Sequence, residues 1–148
     1  MRRFIIPDVT EEHPVHSLSR TDNAYDAAIE MKKYNIAAIL IIDEEDKLEG
    51  IVTERDLTRR VVAEDEAPKK ILLGDIMTVN PETLDPDDSV SDALELMRNR
   101  RFRHLPVSKN GKIIGMVSIR DLFSAVKADL EDAVRECEAF VLGDRYGA

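Results

Sequence analysis

The sequence predicts a mixed α/β protein in which one β-α-β-β-α unit occurs twice and is followed by a helical extension. The segment Gly50–Leu57, GIVTERDL, recurs 65 residues later as Gly115–Leu122, GMVSIRDL, with its polar letters kept. Around this segment, residues 21–62 superpose on residues 86–127 without a gap. A constant offset of this kind indicates one supersecondary unit used twice.

The first repeat is predicted over residues 8–66. It contains a helix over 22–34, a buried strand, a second strand in GIVT and a helix over about 54–63. The buried strand falls in the apolar run IAAILII, residues 36–42. Seven residues suit a buried strand and are far fewer than the ~20 that a membrane helix needs.

The second repeat is predicted over residues 73–128. It opens with the extended lead-in MTVNPETL, and the apolar spacing of Val90, Ala93, Leu94 and Met97 predicts a helix over 89–100. Strands RHLPVS and IIGMVS follow, and the KNGK between them holds the Asn-Gly pair of a tight hairpin turn. A second helix is expected from Ile119.

The extension, residues 129–148, is predicted to prolong this last helix to about Gly143. Leu122, Val126, Leu130 and Val134 recur at helical spacing. The helix therefore has an apolar stripe to bury, either against its own module or against another chain.

The bulk composition limits the class of protein. The net charge of −9 argues against nucleic acid and anionic membranes, which bind positive surfaces. Cys137 is the only cysteine, so an intrachain disulfide is excluded, and its apolar neighbours favour a small hydrophobe. The N-terminus does not resemble a signal peptide, which predicts a cytoplasmic protein without membrane insertion. No nucleophile elbow, Walker loop or metal-binding pattern occurs, so we expect no enzyme activity.

Both repeats place a hydroxyl three residues before an acid where a strand meets a helix: Thr53 before Asp56, and Ser118 before Asp121. This is the spacing of a helix capping box. The same geometry also suits a nucleotide, because helix amides and a hydroxyl can hold phosphate and a carboxylate can accept ribose hydroxyls. Arg55 and Arg120 place a positive charge beside each acid.

A basic cluster precedes the first strand of the second repeat. It comprises Arg98, Arg100, Arg101, Arg103 and His104. Cations at a helix C-terminus are ordinary, but strand alternation should turn Arg103 or His104 inward, toward a carboxylate or a ligand phosphate. His13 and His16 lie in the first lead-in and are expected at the surface or partly packed, without a metal site.

The chain resembles a tandem pair of cystathionine β-synthase (CBS) domains, a Bateman module. The match is carried by GIVTERDL, GMVSIRDL, RHLPVS, IMTVNPETL and DDSVSDALELM. The resemblance implies two units packed about a pseudo-two-fold axis, with clefts that bind AMP, ADP, ATP, S-adenosylmethionine or NAD. It assigns ribose to Asp56 and Asp121, phosphate to Thr53, Ser118, Arg103 and His104, and the adenine slot to Thr78, Val79, Ala37 and Phe102.

The ungapped superposition puts Ala38 and Ile39 opposite Arg103 and His104, and Ile41 opposite Pro106. A nucleotide at Asp56 therefore has fewer phosphate partners from its own repeat, and the two sites are expected to differ in affinity or to prefer ligands with different numbers of phosphates. The resemblance implies a non-catalytic regulator that forms a homodimer and controls an enzyme or transporter. The alternative is a ligand-free structural or interaction module that keeps the fold.

Overall fold

A computed structural model describes residues 3–100 and 102–146 of the chain. Arg101 of the basic cluster and the last two residues of the predicted extension lie outside the described residues. The first repeat contains β1 (Ser17–Leu18), α1 (Ala24–Tyr34), β2 (Ala38–Ile42), β3 (Leu48–Thr53) and α2 (Glu54–Leu57). A π-helical turn over Thr58–Val62 continues α2, so together they cover nearly all of the predicted second helix.

The second repeat follows the same plan, and its elements are α3 (Leu73–Ile76), β4 (Thr78–Val79), α4 (Val90–Arg100), β5 (His104–Lys109), β6 (Lys112–Ser118) and α5 (Ile119–Tyr146). The predicted hairpin turn is present. Asn110 and Gly111 both have positive φ, 53° and 79°. These are the torsions of the type I′ turn that an Asn-Gly pair favours.

The lead-in of each repeat crosses to the other repeat. β4 pairs antiparallel with β3, placing Thr78 opposite Ile51, in a sheet of order β1-β2-β3-β4. In return, the His13 amide donates to the Ile114 carbonyl at 2.9 Å, and the Met116 amide donates to the His13 ring at 3.3 Å. This reciprocal exchange is the relation that a pseudo-two-fold axis between the repeats requires.

The strand register corrects the ungapped superposition by one residue. Ala38 pairs with Thr53, whereas His104 pairs with Ser118, so the first strands are offset by 66 and the second by 65. The reason is the hairpin turn, which is one residue shorter in the second repeat. The counterparts are Ala37 for Arg103, Ala38 for His104 and Leu40 for Pro106, not Ala38, Ile39 and Ile41.

The core has three parts. One apolar cluster lies in each repeat, centred on Ile39 and Val52 in the first and on Leu105 and Val117 in the second. A third, smaller cluster contains Ala38, Leu40 and Ile51, with Ile113 and Met116 packed against it from the second repeat. This third cluster joins the two hairpins, and burying it couples the repeats.

α5 is buried only at its start. Leu122 is fully buried, but Leu130 is 63% and Val134 57% exposed, and every residue from Glu131 to Gly143 is exposed. The far part of the predicted stripe therefore does not pack on its own module. Among the described residues, no helix combines the length and the apolarity needed to cross a membrane.

Candidate functional site

One cleft of about 890 Å³ runs between the two repeats. Its volume lies within the range typical of small-molecule sites. The predicted site residues that line it are Ala37, Thr53, Arg55, Asp56, Thr78, Phe102, Arg103, His104, Ser118, Arg120 and Asp121. Two strand–helix junctions that are far apart in sequence therefore face one space.

Val79 is the predicted site residue that does not line the cleft. It lies on β4 beside Thr78 and is 60% exposed. Because successive side chains of a strand point to opposite faces, Thr78 faces the cleft and Val79 faces away. Its prediction as an adenine contact does not match this geometry.

The junction of the first repeat forms a complete capping box. The Thr53 amide donates to Asp56 Oδ2 at 2.9 Å, and the Asp56 amide donates to the Thr53 hydroxyl oxygen at 3.3 Å. Arg60 Nε lies 3.8 Å from Asp56 Oδ1. Both carboxylate oxygens of Asp56 thus have a partner in the ligand-free chain.

The junction of the second repeat forms the same kind of capping box, but only one carboxylate oxygen of Asp121 takes part in it. The Ser118 amide donates to Asp121 Oδ2 at 2.9 Å, and the Asp121 amide donates to the Ser118 hydroxyl oxygen at 3.2 Å. Asp121 Oδ1 accepts no hydrogen bond from any residue in 3–100 or 102–146. The capping and ligand interpretations are therefore compatible, because each uses a different carboxylate oxygen.

Arg103 brings positive charge to the second-repeat side of the cleft, and His104 lies beside it. Arg103 is exposed, whereas His104 is half-buried. Burial lowers the pKa of His104 below its ordinary 6.5, the carboxylates of Asp121 and Glu54 oppose that shift, and Arg103 reinforces it. His104 therefore lies within electrostatic reach of acids from both repeats.

The other described arginines of the basic cluster do not line the cleft. Arg100 forms an ion pair with Glu82, its Nη2 lying 3.4 Å from Glu82 Oε1, and Arg98 is exposed at the end of α4. Their positions fit ordinary cations at a helix C-terminus. Arg98 therefore offers a control for Arg103.

The lowered pKa of His104 predicts an acid-sensitive stability. The unfolded chain takes up a proton on this histidine near pH 6.5, and the folded chain only at lower pH, so the free energy of unfolding should fall as the pH drops below 6.5. Urea denaturation of wild type and His104→Asn at pH 7.5 and 5.5 checks this. Wild type should lose more stability on acidification than the variant. An equal or smaller loss would contradict the prediction.

The first lead-in supplies cleft residues that were not predicted. His13, Pro14, Val15 and His16 line the cleft, and the His16 ring stacks on Tyr34 at 3.9 Å between centroids. The sequence did contain a signal for these residues, because His13-Pro14 of the first lead-in matches Asn80-Pro81 of the second. Within residues 3–100 and 102–146, no three His, Cys, Asp or Glu side chains are grouped to hold a metal ion.

A comparison with protein families shows which family has these two repeats. The model of the CBS domain matches the chain twice, over residues 8–63 and 73–128. The chain belongs to the CBS domain family. The tandem CBS pair expected from GIVTERDL and GMVSIRDL is thereby confirmed.

Relatives and solved structures support this membership. The mitochondrial CBS domain-containing protein CBSX3 of Arabidopsis thaliana is 36% identical over 126 residues, which are 82% of this chain and 61% of that protein. The chain thus spans less than two thirds of this relative. A CBS-domain structure from Burkholderia ambifaria is 39% identical, with TM-score 0.75, and the match covers 78% of this chain and 85% of that one.

A second solved structure was determined with a ligand. It is a CBS domain protein from Pyrobaculum aerophilum in complex with AMP, and it is 30% identical to this chain with a TM-score of 0.68. The match covers 74% of this chain and 84% of that chain. AMP is thus a ligand of one relative within the family.

Proposed function

We propose that this CBS pair is a non-catalytic regulatory module that binds an adenosine nucleotide and transmits its ligand state to a partner protein. AMP, ADP and ATP are the leading ligands, and NAD and S-adenosylmethionine share the same adenosine. The observation that carries the proposal is that Asp121, Ser118 and the Arg103–His104 pair meet in one cleft. The AMP complex of the Pyrobaculum relative supports this ligand class.

Each part of a nucleotide has a matching group on the second-repeat side. Asp121 Oδ1 is available to accept a ribose hydroxyl. The start of α5 presents helix amides beside the Ser118 hydroxyl, which suits phosphate. Arg103 adds a charge-assisted donor for phosphate oxygens, and the His104 ring adds a neutral N–H donor. A nucleotide at Asp121 therefore finds donors for its phosphates and an acceptor for its ribose.

The first-repeat side is poorer in cations. Ala37 and Ala38 occupy the positions of Arg103 and His104, and Glu54 adds a negative charge to the cleft. Arg60 already lies near Asp56 Oδ1. We therefore expect the site at Asp121 to bind phosphate-bearing ligands more tightly than the site at Asp56.

A ligand-free structural or interaction module is the second candidate. Both capping boxes are complete without any ligand, which is what that function would require. It predicts that no adenosine compound binds and that the two aspartates serve only helix starts.

Arg103→Ala separates phosphate recognition from adenosine recognition. Losing one charge-assisted hydrogen bond costs about 1.5–3 kcal/mol, so affinity for AMP should fall about 10- to 100-fold while affinity for adenosine changes little. Calorimetric titration of nucleotide-free protein measures both ligands, and ADP, ATP, NADH and S-adenosylmethionine extend the series.

Arg98→Ala is the matched control, because Arg98 is an exposed arginine of the same cluster that does not line the cleft. It should bind AMP as wild type does. Equal loss in both variants would indicate general electrostatics, and absence of binding by wild type to all six compounds would favour the structural module.

A further inference from the structure

α5 carries an apolar face whose start packs in part against the second-repeat core at Val126, and which is exposed from Leu130 to Val141. We call it the α5 stripe, and it comprises Phe123, Val126, Leu130, Ala133, Val134, Cys137, Phe140 and Val141. At 100° per residue these side chains fall within an arc of about 120°. Phe123 is 59% exposed, Leu130 63% and Phe140 72%. None of the stripe residues lines the nucleotide cleft.

The helix that carries the stripe extends beyond the module. Arg3 pairs with Asp129, and its Nη2 lies 3.4 Å from Asp132 Oδ2, near the middle of α5. The continuously exposed part begins at Leu130. An isolated helix of about 12–15 residues is marginal in water. A covering partner would supply the stability that this part of α5 lacks.

The spacing of the stripe fits another copy of the same helix. Phe123, Leu130 and Cys137 follow each other at intervals of seven residues, and so do Val126, Ala133 and Phe140. A seven-residue repeat keeps one face toward one partner helix along its whole length. A second copy presents the same spacing, so the contact can be isologous about a two-fold axis.

The size and the charge of the α5 stripe also favour a second copy of this chain as its partner. Its exposed Phe, Leu and Val side chains present on the order of 500 Å² of apolar surface, which is toward the upper end of the largest apolar patch found on a free monomer. The same area is a large part of the ~800 Å² that each partner buries in a stable interface. Acids outnumber bases along Lys127–Tyr146. Anionic lipid, the other common target of an amphipathic helix, is disfavoured by that charge.

From these observations we infer that the α5 stripe is a self-association surface that packs against the α5 stripe of a second copy of this chain. The resemblance predicted a homodimer without indicating a surface, and this inference assigns one. It does not rest on the proposed nucleotide binding, because the stripe lies outside the cleft.

Light scattering after size-exclusion chromatography of the full chain tests the inference. Wild type should elute with the mass of at least two chains, and Leu130→Asp with Phe140→Asp should halve that mass. Leu142→Asp is the control, because Leu142 is 51% exposed on the same helix but lies about 140° from the middle of the stripe. It should keep the wild-type mass. A monomeric wild type, an unchanged mass in the double variant, or an equal loss in the control would overturn the inference.

The reactivity of Cys137 in the wild-type protein provides a second test, which remains valid if the double variant folds poorly. Cys137 is exposed in the single chain and central in the stripe. Its reaction with a maleimide should slow at least several-fold as the protein concentration rises through the association range. Cys137→Ala with Leu142→Cys places the only thiol off the stripe, and its rate should stay constant. Concentration-independent reaction of Cys137 would overturn the inference.

Discussion

Asp121→Asn is expected to remove most of the stabilisation that AMP gives to this protein. Ligand at a hundred times its dissociation constant adds about 2.7 kcal/mol to the free energy of unfolding. Losing the ribose acceptor should weaken binding about 10- to 100-fold, leaving about 1.4 to 0.4 kcal/mol at the same ligand concentration. Thermal unfolding with and without AMP reports the difference as a shift of several degrees.

The asparagine is chosen because it separates capping from ligand binding. Its side-chain oxygen can still accept from the Ser118 amide, while its NH₂ replaces the unpaired Oδ1. Asp26→Asn is the matched control, since Asp26 closes the Asn23 capping box of α1 and does not line the cleft. It should lower stability by no more than about 2 kcal/mol and keep the full AMP shift. A full AMP shift in Asp121→Asn would contradict the ribose assignment.

Gly50→Ala is expected to lower the free energy of unfolding more than Gly115→Ala, the same substitution at the equivalent position of the second repeat. A Cβ on Gly50 would lie 2.5 Å from Met77 Sδ and 2.8 Å from the Thr78 carbonyl oxygen. The carbonyl belongs to the backbone of β4, so the crossing lead-in itself must shift. Overpacking of this kind costs about 1–3 kcal/mol, measured as a lower midpoint in urea.

Gly115→Ala makes the same change at the equivalent position of the second repeat. Its Cβ would lie 3.2 Å from His13 Cε1, an exposed ring that can give way by a few tenths of an ångström. The loss should be below about 1 kcal/mol, since replacing a strand glycine also reduces the entropy of the unfolded chain. If Gly115→Ala destabilises as much as Gly50→Ala, the crossing of β4 over Gly50 is not as tight as described.

The repeat made the elements of this fold predictable, but not the exchange between them. Helix periodicity, the apolar run of β2 and the Asn-Gly turn are local signals, and all three fall where they were predicted. β4 has two residues and thus no period to detect, and its partner β3 lies in the other repeat. Pairing across repeats is a tertiary property that local patterns do not encode.

The candidate site was also predictable only where local sequence patterns determine it. Asp56 and Asp121 were predictable because both repeats preserve the strand–helix junction. The one-residue register error arose because the GxVxxRDL segments align perfectly and conceal a shorter hairpin turn upstream. His13 and His16 were expected at the surface or partly packed, and they line the cleft because the first lead-in crosses to β6. Sequence spacing could not show which residues face each other across the axis.

The central claim is that adenosine nucleotide binds at Asp121, and a calorimetric titration of AMP into nucleotide-free wild-type protein tests it most directly. The protein must first be unfolded and refolded to remove any nucleotide carried through purification. We predict saturable binding, with a stronger site that is lost in Asp121→Asn and retained in Asp56→Asn. No saturable heat with AMP in the refolded wild type, or an unchanged stronger site in Asp121→Asn, would contradict the account.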